Sequence, residues 1–184
     1  MRVIAGSCRS LPLEAVPGMG TRPTTDRIKE TQFNVIQLRV PGSNFLDLFA
    51  GSGAIGIEAL SRGARHAWFV DSDRKAVEVI RRNLAFTKLA GQADVLHAQA
   101  ADAVRRLADV PVMDIVFLDP PYDRGLERET LAVLKDAACT GPDTLYILEA
   151  SKENELSWLE ESGFYPVREK IYKTNKHVFL QETR

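Results

Sequence analysis

At 184 residues, with 45% hydrophobic and 27% charged residues, the chain has the length for one domain with a single buried core, and its balance excludes an extended disordered polymer. A formal net charge of -1 excludes recognition of nucleic acid through bulk positive charge, so any basic surface has to be local. Cys8 and Cys139 form no Cys-x-x-Cys pair, which argues against a disulfide framework or thiolate metal site; with no signal-like or long apolar run, the expectation is a reducing, cytoplasmic setting, no membrane and no metal.

Residues 1–44 read as an N-terminal extension to one compact unit rather than as a second domain. A short strand over Arg2-Val3-Ile4-Ala5 is predicted, then a Gly- and Pro-rich stretch through Pro17-Gly18-Met19-Gly20. A helix opened by Thr25 or Asp26 follows, running to about Leu38 before Pro41-Gly42 stops it. Arg2, Arg9, Arg22, Arg27, Lys29 and Arg39 give this segment a local basic excess. Within it, Arg22-Pro23-Thr24-Thr25-Asp26-Arg27 combines guanidinium groups with hydroxyls, a set suited to phosphates or to closing over a cofactor, so Arg22, Thr24, Thr25 and Arg27 are candidate substrate contacts. The plainer use of the same residues is N-capping with solvated arginines.

From Phe45 onward short apolar runs alternate with helical spacing, the pattern of βα units in a mostly parallel sheet, so 45–184 is predicted as an α/β domain. The strand candidates are Phe45–Phe49, Ala67–Val70, Val95–His97, Ile115–Leu118, Leu145–Leu148, Pro166–Tyr172 and His177–Leu180. Ala76, Ile80 and Leu84 follow helical spacing behind a candidate N-cap, Asp73. The last two strands are joined too tightly for a parallel crossover and should form a hairpin, with one antiparallel strand closing the sheet.

The first strand runs into the turn Asp47-Leu48-Phe49-Ala50-Gly51-Ser52-Gly53, where glycines let a ligand touch the backbone and a helix N-terminus favours an anion. Twenty positions after Gly51, Asp71 ends the second strand, placed to accept both hydroxyls of a ribose. Gly51-x-Gly53-x-x-Gly56 with Asp71 also satisfies a dinucleotide fingerprint. Asp47, placed to meet a cationic amino group, and the lack of length for a dehydrogenase substrate domain favour S-adenosylmethionine, which offers an amine, a carboxylate and an adenosine ribose. Asp47, Phe49, Ala50, Gly51, Ser52, Gly53 and Asp71 are therefore candidate cofactor contacts. Gln99 and Ala100, after the third strand where an adenine would lie, join them, with Asp102 competing for that role.

Directly after the fourth strand stands Asp119-Pro120-Pro121-Tyr122. A base amine is a poor nucleophile because its lone pair is delocalised into the ring. The Asp119 carboxylate and Pro120 carbonyl can accept its two N–H bonds and aim the lone pair at a sulfonium methyl group. Pro120 and Pro121 bring no competing N–H, and Tyr122 supplies a ring for stacking on an extruded base. Glu149, ending the fifth strand, is a candidate contact for the base edge. Lys170, Tyr172, Lys173 and Lys176 interleave basic and aromatic groups as RNA contacts do, with Tyr172 and Lys173 the candidates. His66, His97 and His177 are scattered and read as structural or exposed.

The blocks Arg22-Pro23-Thr24-Thr25-Asp26-Arg27, Phe33-Asn34, Leu46 to Gly53, Glu58-Ala59-Leu60-Ser61-Arg62-Gly63 and Asp119-Pro120-Pro121-Tyr122, taken together and in this order, resemble the bacterial 16S rRNA guanine-N2 methyltransferases of the D type over nearly the whole chain. The resemblance implies a class I, Rossmann-like fold of seven strands. It also implies methylation of the N2 amine of one guanine in 16S rRNA, within the small ribosomal subunit or its assembly intermediate. A particle read partly through proteins and shape would fit the neutral net charge. Where many relatives have an acid followed by alanine, this chain has Gln99-Ala100, so adenine recognition there falls to backbone groups. The motif chemistry alone equally admits adenine-N6 methylation of DNA, and an RNA-binding assembly factor without catalysis is the non-enzyme alternative.

Overall fold

A computed structural model describes residues 1–18, 26–122 and 124–183. After residues 1–18, its elements are α1 (Asp26–Ile36), β1 (Asn44–Leu48), α2 (Ala54–Ser61), β2 (His66–Asp71), α3 (Arg74–Thr87), β3 (Ala93–His97), α4 (Ala100–Arg106), β4 (Ile115–Leu118), α5 (Leu126–Lys135), β5 (Leu145–Ser151), β6 (Phe164–Ile171) and β7 (Asn175–Glu182). All seven predicted strands form, most of them one to three residues longer than the apolar runs that mark them. They build one sheet in the order β3-β2-β1-β4-β5-β7-β6. The pairs β1–β2, β1–β4, β2–β3 and β4–β5 are parallel, whereas β7 runs antiparallel to both β5 and β6. The single antiparallel strand is thus as expected, but it lies inside the sheet and β6 takes the edge. The hairpin's second strand carries the continuously buried run and therefore docks on β5.

Strand alternation sends two sets of side chains to opposite faces. Phe45, Phe69, Ile115, Phe117, Ile147 and Phe179 pack under α1, α2 and α3. Leu46, Leu48, Val70, Val116, Leu118, Tyr146 and Leu148 pack under α4 and α5. Helix α3 forms as its spacing predicts, burying Ala76, Ile80 and Leu84, with Asp73 capping through the Lys75 N–H at 2.8 Å.

The N-terminal segment departs from expectation. Arg2–Ala5 makes no strand; one antiparallel bridge, Arg2 to Pro12, replaces it. Val3 exchanges backbone hydrogen bonds with Ser10 and Leu11, and the groups of Ile4 and Ala5 are met by α2 instead of by a sheet. The Ile4 and Ala5 N–H groups donate to Glu58 Oε2 and Oε1 at 2.7 and 3.0 Å, and Ser61 Oγ donates to the Ala5 carbonyl at 2.6 Å. Gly6, at φ 86°, passes so close that a Cβ there would lie 1.7 Å from the Ser61 carbonyl oxygen. Helix α1 ends at Ile36, two residues before the predicted Leu38, because the chain turns at once to bury Val40.

The predicted basic excess is partly spent on structure. Lys29 is buried, pairing with Glu58 at 3.2 Å and donating to the Arg2 carbonyl at 2.6 Å. Burial lowers the Lys29 pKa, with the Glu58 charge opposing that fall. Arg2 pairs with Asp26, and Arg39 donates to the Asp143 carbonyl. Among the described residues no helix is long and apolar enough to cross a membrane.

Candidate active site

The turn after β1 is braced before any ligand arrives. Gly51 and Gly53 both take positive φ, 55° and 77°, which lets the chain leave the strand and enter α2 within five residues. Space around Gly51 is open: a Cβ there would meet nothing within 4 Å. The Gly51 N–H donates to Asp71 Oδ2 at 2.8 Å, tying the turn to the end of β2, and Asp71 Oδ1 accepts from the Asp73 N–H. Burial raises the Asp71 pKa against these hydrogen bonds. Asp47 Oδ2 accepts from the Gly56 N–H in the first turn of α2, at 2.8 Å. Burial, with Asp71 nearby, pushes Asp47 up to about 7. Helix α2 opens on Gly53 without a side-chain cap of its own, so the Asp47 carboxylate on the Gly56 N–H takes that part.

The strand register gathers three carboxylates on one face. Asp47 pairs with Phe117, and Leu118 pairs with Leu148, so Asp119, just past the end of β4, stands level with Glu149, which β5 carries two residues before its end at Ser151 rather than at it, with Asp47 one pleat below. Asp119 is partly exposed and its pKa is raised well above the usual carboxylate range, first by desolvation and then by the negative charges of Glu149 and Asp47. Pro120 is buried, Pro121 is exposed, and Tyr122 leaves 43% of its surface in solvent while its hydroxyl reaches Glu149 Oε1 at 3.4 Å. Desolvation and the Glu149 charge raise the Tyr122 phenol pKa, keeping it a neutral donor.

Glu149 is held from the side by β7. The Asn175 amide donates to Oε1, and His177 Nε2 lies 3.0 Å from Oε2. His177 is fully buried, edge-on to Phe117 and Tyr172 at ring-centroid distances of 6.3 and 5.0 Å. Of the two readings, structural or exposed, His177 takes the structural one, and its link to Glu149 was missed. Its partner lies 28 positions away, a pairing that no local spacing encodes, and only its place in an apolar strand could have signalled burial. Asn175 was missed for the same reason.

Beside the turn, Phe49, Gln99, Ala100, Ala101 and Asp102 line a cleft of about 300 Å³ that is closed from α5 by Leu126, Glu129 and Thr130. Gln99, Ala100 and Asp102 thus converge with Phe49 as anticipated. The α5 wall was missed because nothing distinguishes its residues from those of an ordinary amphipathic helix. Of the basic candidates, Arg27 is exposed on α1, and Lys173 is exposed in the β6–β7 turn. Lys176 pairs with Glu169 at 2.9 Å and is nearly buried, so it is not available as an RNA contact. The Tyr172 hydroxyl is buried without a hydrogen-bond partner among the described residues, and its ring leans on His177 rather than standing free. Arg22, Pro23, Thr24 and Thr25 lie outside the described residues.

A family model described as Conserved hypothetical protein 95 matches residues 1–181. YlbH of Bacillus subtilis is 41% identical over 157 residues, 85% of each chain. "Ribosomal RNA small subunit methyltransferase D" of Escherichia coli K12 is 39% identical over 156 residues, 85% of this chain and 77% of that one. The solved structure of yhhF from Escherichia coli superposes with a TM-score of 0.83 at 35% identity, covering 100% of this chain and 98% of the other.

Proposed function

Because the chain belongs to the Conserved hypothetical protein 95 family, we propose that it is an S-adenosylmethionine-dependent methyltransferase acting on ribosomal RNA, and that its target is the N2 amine of a guanine in 16S rRNA of the small subunit. The observation that carries the reading is Asp119 at the carboxyl end of β4, level with Glu149 and followed by two prolines that offer no N–H. With Asp119 ionised, such a set accepts hydrogen bonds and donates none, which suits an amine that must present its lone pair. The relatives' names supply the substrate class. The same reading assigns 45–184 to catalysis, 1–44 to an extension that contacts RNA or cofactor, and the cytoplasm as the place of work.

The residues present fit the cofactor. Asp47 would face its amino group, the Gly51–Gly53 turn its carboxylate, Asp71 its ribose, and the cleft of Phe49, Gln99 and Ala100 its adenine. A dinucleotide fits less well, since its pyrophosphate would come to a turn flanked by the Asp47 and Asp71 carboxylates. S-adenosylmethionine supplies an electrophilic methyl group on a sulfonium. Asp119 and the Pro120 carbonyl hold the two amine hydrogens, and Tyr122 stacks on the base. The raised pKa of Asp119 fits it to take the surplus proton after transfer. Arg27 and Lys173, with Arg22, Thr24 and Thr25, are the proposed RNA contacts, whereas the Tyr172 ring is taken up by His177.

Incubating the protein with methyl-labelled cofactor and either small ribosomal subunits or genomic DNA tests the reading. Label in N2-methylguanosine from the subunits is expected, and label only in DNA adenine would replace it. Proton linkage gives a second check. Asp47 near 7 in the free protein must lose its proton before it can pair with an ammonium group. Cofactor affinity should therefore weaken as pH falls below about 7, by up to about tenfold per unit, and level off above it. Calorimetry between about pH 5.5 and 8.5 measures this, and Asp47→Asn should flatten the dependence; a flat wild-type profile would remove Asp47 from the amino-group site.

A further inference from the structure

Asp119 and Glu149 are the first residues beyond a register pair on adjacent parallel strands, which sets their backbones about 4.8 Å apart on one face. Two neighbouring acceptors at that spacing match an edge that carries two neighbouring donors. Guanine has such an edge, with N1–H beside N2–H₂. Adenine does not, because its N6 amine stands beside an N1 lone pair. The surroundings of Glu149 fix it as an acceptor. Asn175 donates to Oε1, and His177, facing a carboxylate, donates its Nε2–H to Oε2. That tautomer leaves Nδ1 as a bare acceptor, and Nδ1 is buried without a partner among the described residues. Phe117 and Tyr172 hold the ring edge-on, so His177 keeps its orientation when a ligand arrives. These two donors occupy two of about four lone-pair positions of the carboxylate. The third contact, from the Tyr122 hydroxyl at 3.4 Å, is long and easily exchanged for a base.

We propose that Glu149, oriented by His177 and Asn175, selects guanine by accepting its N1–H while Asp119 and the Pro120 carbonyl hold the N2 amine. The proposal rests on the methylation reading above and supplies what the Asp119–Tyr122 motif lacks, a reason to reject adenine. An adenine presented the same way turns its N1 lone pair against the lone pairs of the Glu149 carboxylate.

The test uses small subunits reconstituted with 16S rRNA carrying guanine or 2-aminopurine at the modified nucleotide, once mass spectrometry has located it. 2-Aminopurine keeps the N2 amine but has a lone pair at N1. Wild type should methylate it roughly 10- to 100-fold more slowly than guanine, the range expected for losing a hydrogen bond to a charged group. Glu149→Gln offers an amide that can donate to N1, and should lower kcat/KM on guanine while narrowing or inverting the guanine preference, with cofactor affinity unchanged. Equal wild-type rates on the two bases, or a Glu149→Gln variant that keeps the wild-type ratio, would overturn the proposal. Should the variant not fold, the wild-type ratio decides alone. Failure of wild type to methylate any guanine N2 would instead overturn the reading beneath it.

Discussion

Replacing Asp119 with alanine is expected to lower the turnover of methyl transfer by about 10²- to 10³-fold without loss of folding stability. The rate falls because the Pro120 carbonyl alone cannot hold both amine hydrogens, and the nitrogen lone pair then stays conjugated with the ring. Stability holds or rises because Asp119 shares its surroundings with Asp47 and Glu149 at a cost in desolvation and repulsion. The sign follows from linkage. A carboxyl whose folded pKa is raised favours the native state below its unfolded value and loses that contribution as pH rises through the folded value. The melting temperature of Asp119→Ala relative to wild type should therefore improve from pH 4 to pH 8. Single-turnover rates with labelled cofactor, calorimetry and thermal melts at the two pH values measure all three; near-normal turnover would remove Asp119 from the chemistry.

Glu58→Ala should carry the largest stability cost, about 3–5 kcal/mol, as expected for removing one partner from a buried ion pair. Its carboxylate serves the N–H groups of Ile4 and Ala5, the Arg62 guanidinium at 2.7 Å and the Lys29 ammonium, all from a fully buried position. Without it Lys29 faces burial with only the Arg2 carbonyl as partner, and its pKa, already lowered by desolvation, falls further. A depressed amine contributes stability at alkaline pH and loses it as pH falls through the folded value, so the deficit should deepen toward acid. Urea midpoints across pH report the cost, and amide exchange at Ile4 and Ala5 should accelerate with it. An unchanged midpoint would show that the extension is held by its apolar contacts instead.

The strands and the core helices were legible because each carries its own signal, such as the Ile115–Leu118 run or the Ala76, Ile80, Leu84 spacing. Asp47, Asp71 and Asp119 were legible because strand ends beside glycines and prolines are visible locally. The Glu149–His177–Asn175 group was not, since β7 reaches β5 across a hairpin and the pairing exists only in the sheet. Lys29 and Lys176 look like surface charge in the sequence; Glu58 and Glu169, which engage them, lie 29 and 7 positions away. The Arg2–Ala5 strand failed because only Val3 finds a backbone partner, in Leu11, while the N–H groups of Ile4 and Ala5 go to the Glu58 side chain.

The sheet order has a bearing on how the site comes into being. Strand β6 pairs with the sheet through β7, which is made after it, so β6 cannot join until β7 has been synthesised. The donors that orient Glu149 both ride on that second strand. Synthesis thus delivers the glycine turn and Asp119 first and the groups that hold Glu149 last, so on the proposed reading the residues of the cofactor cradle are made before those that would select the base.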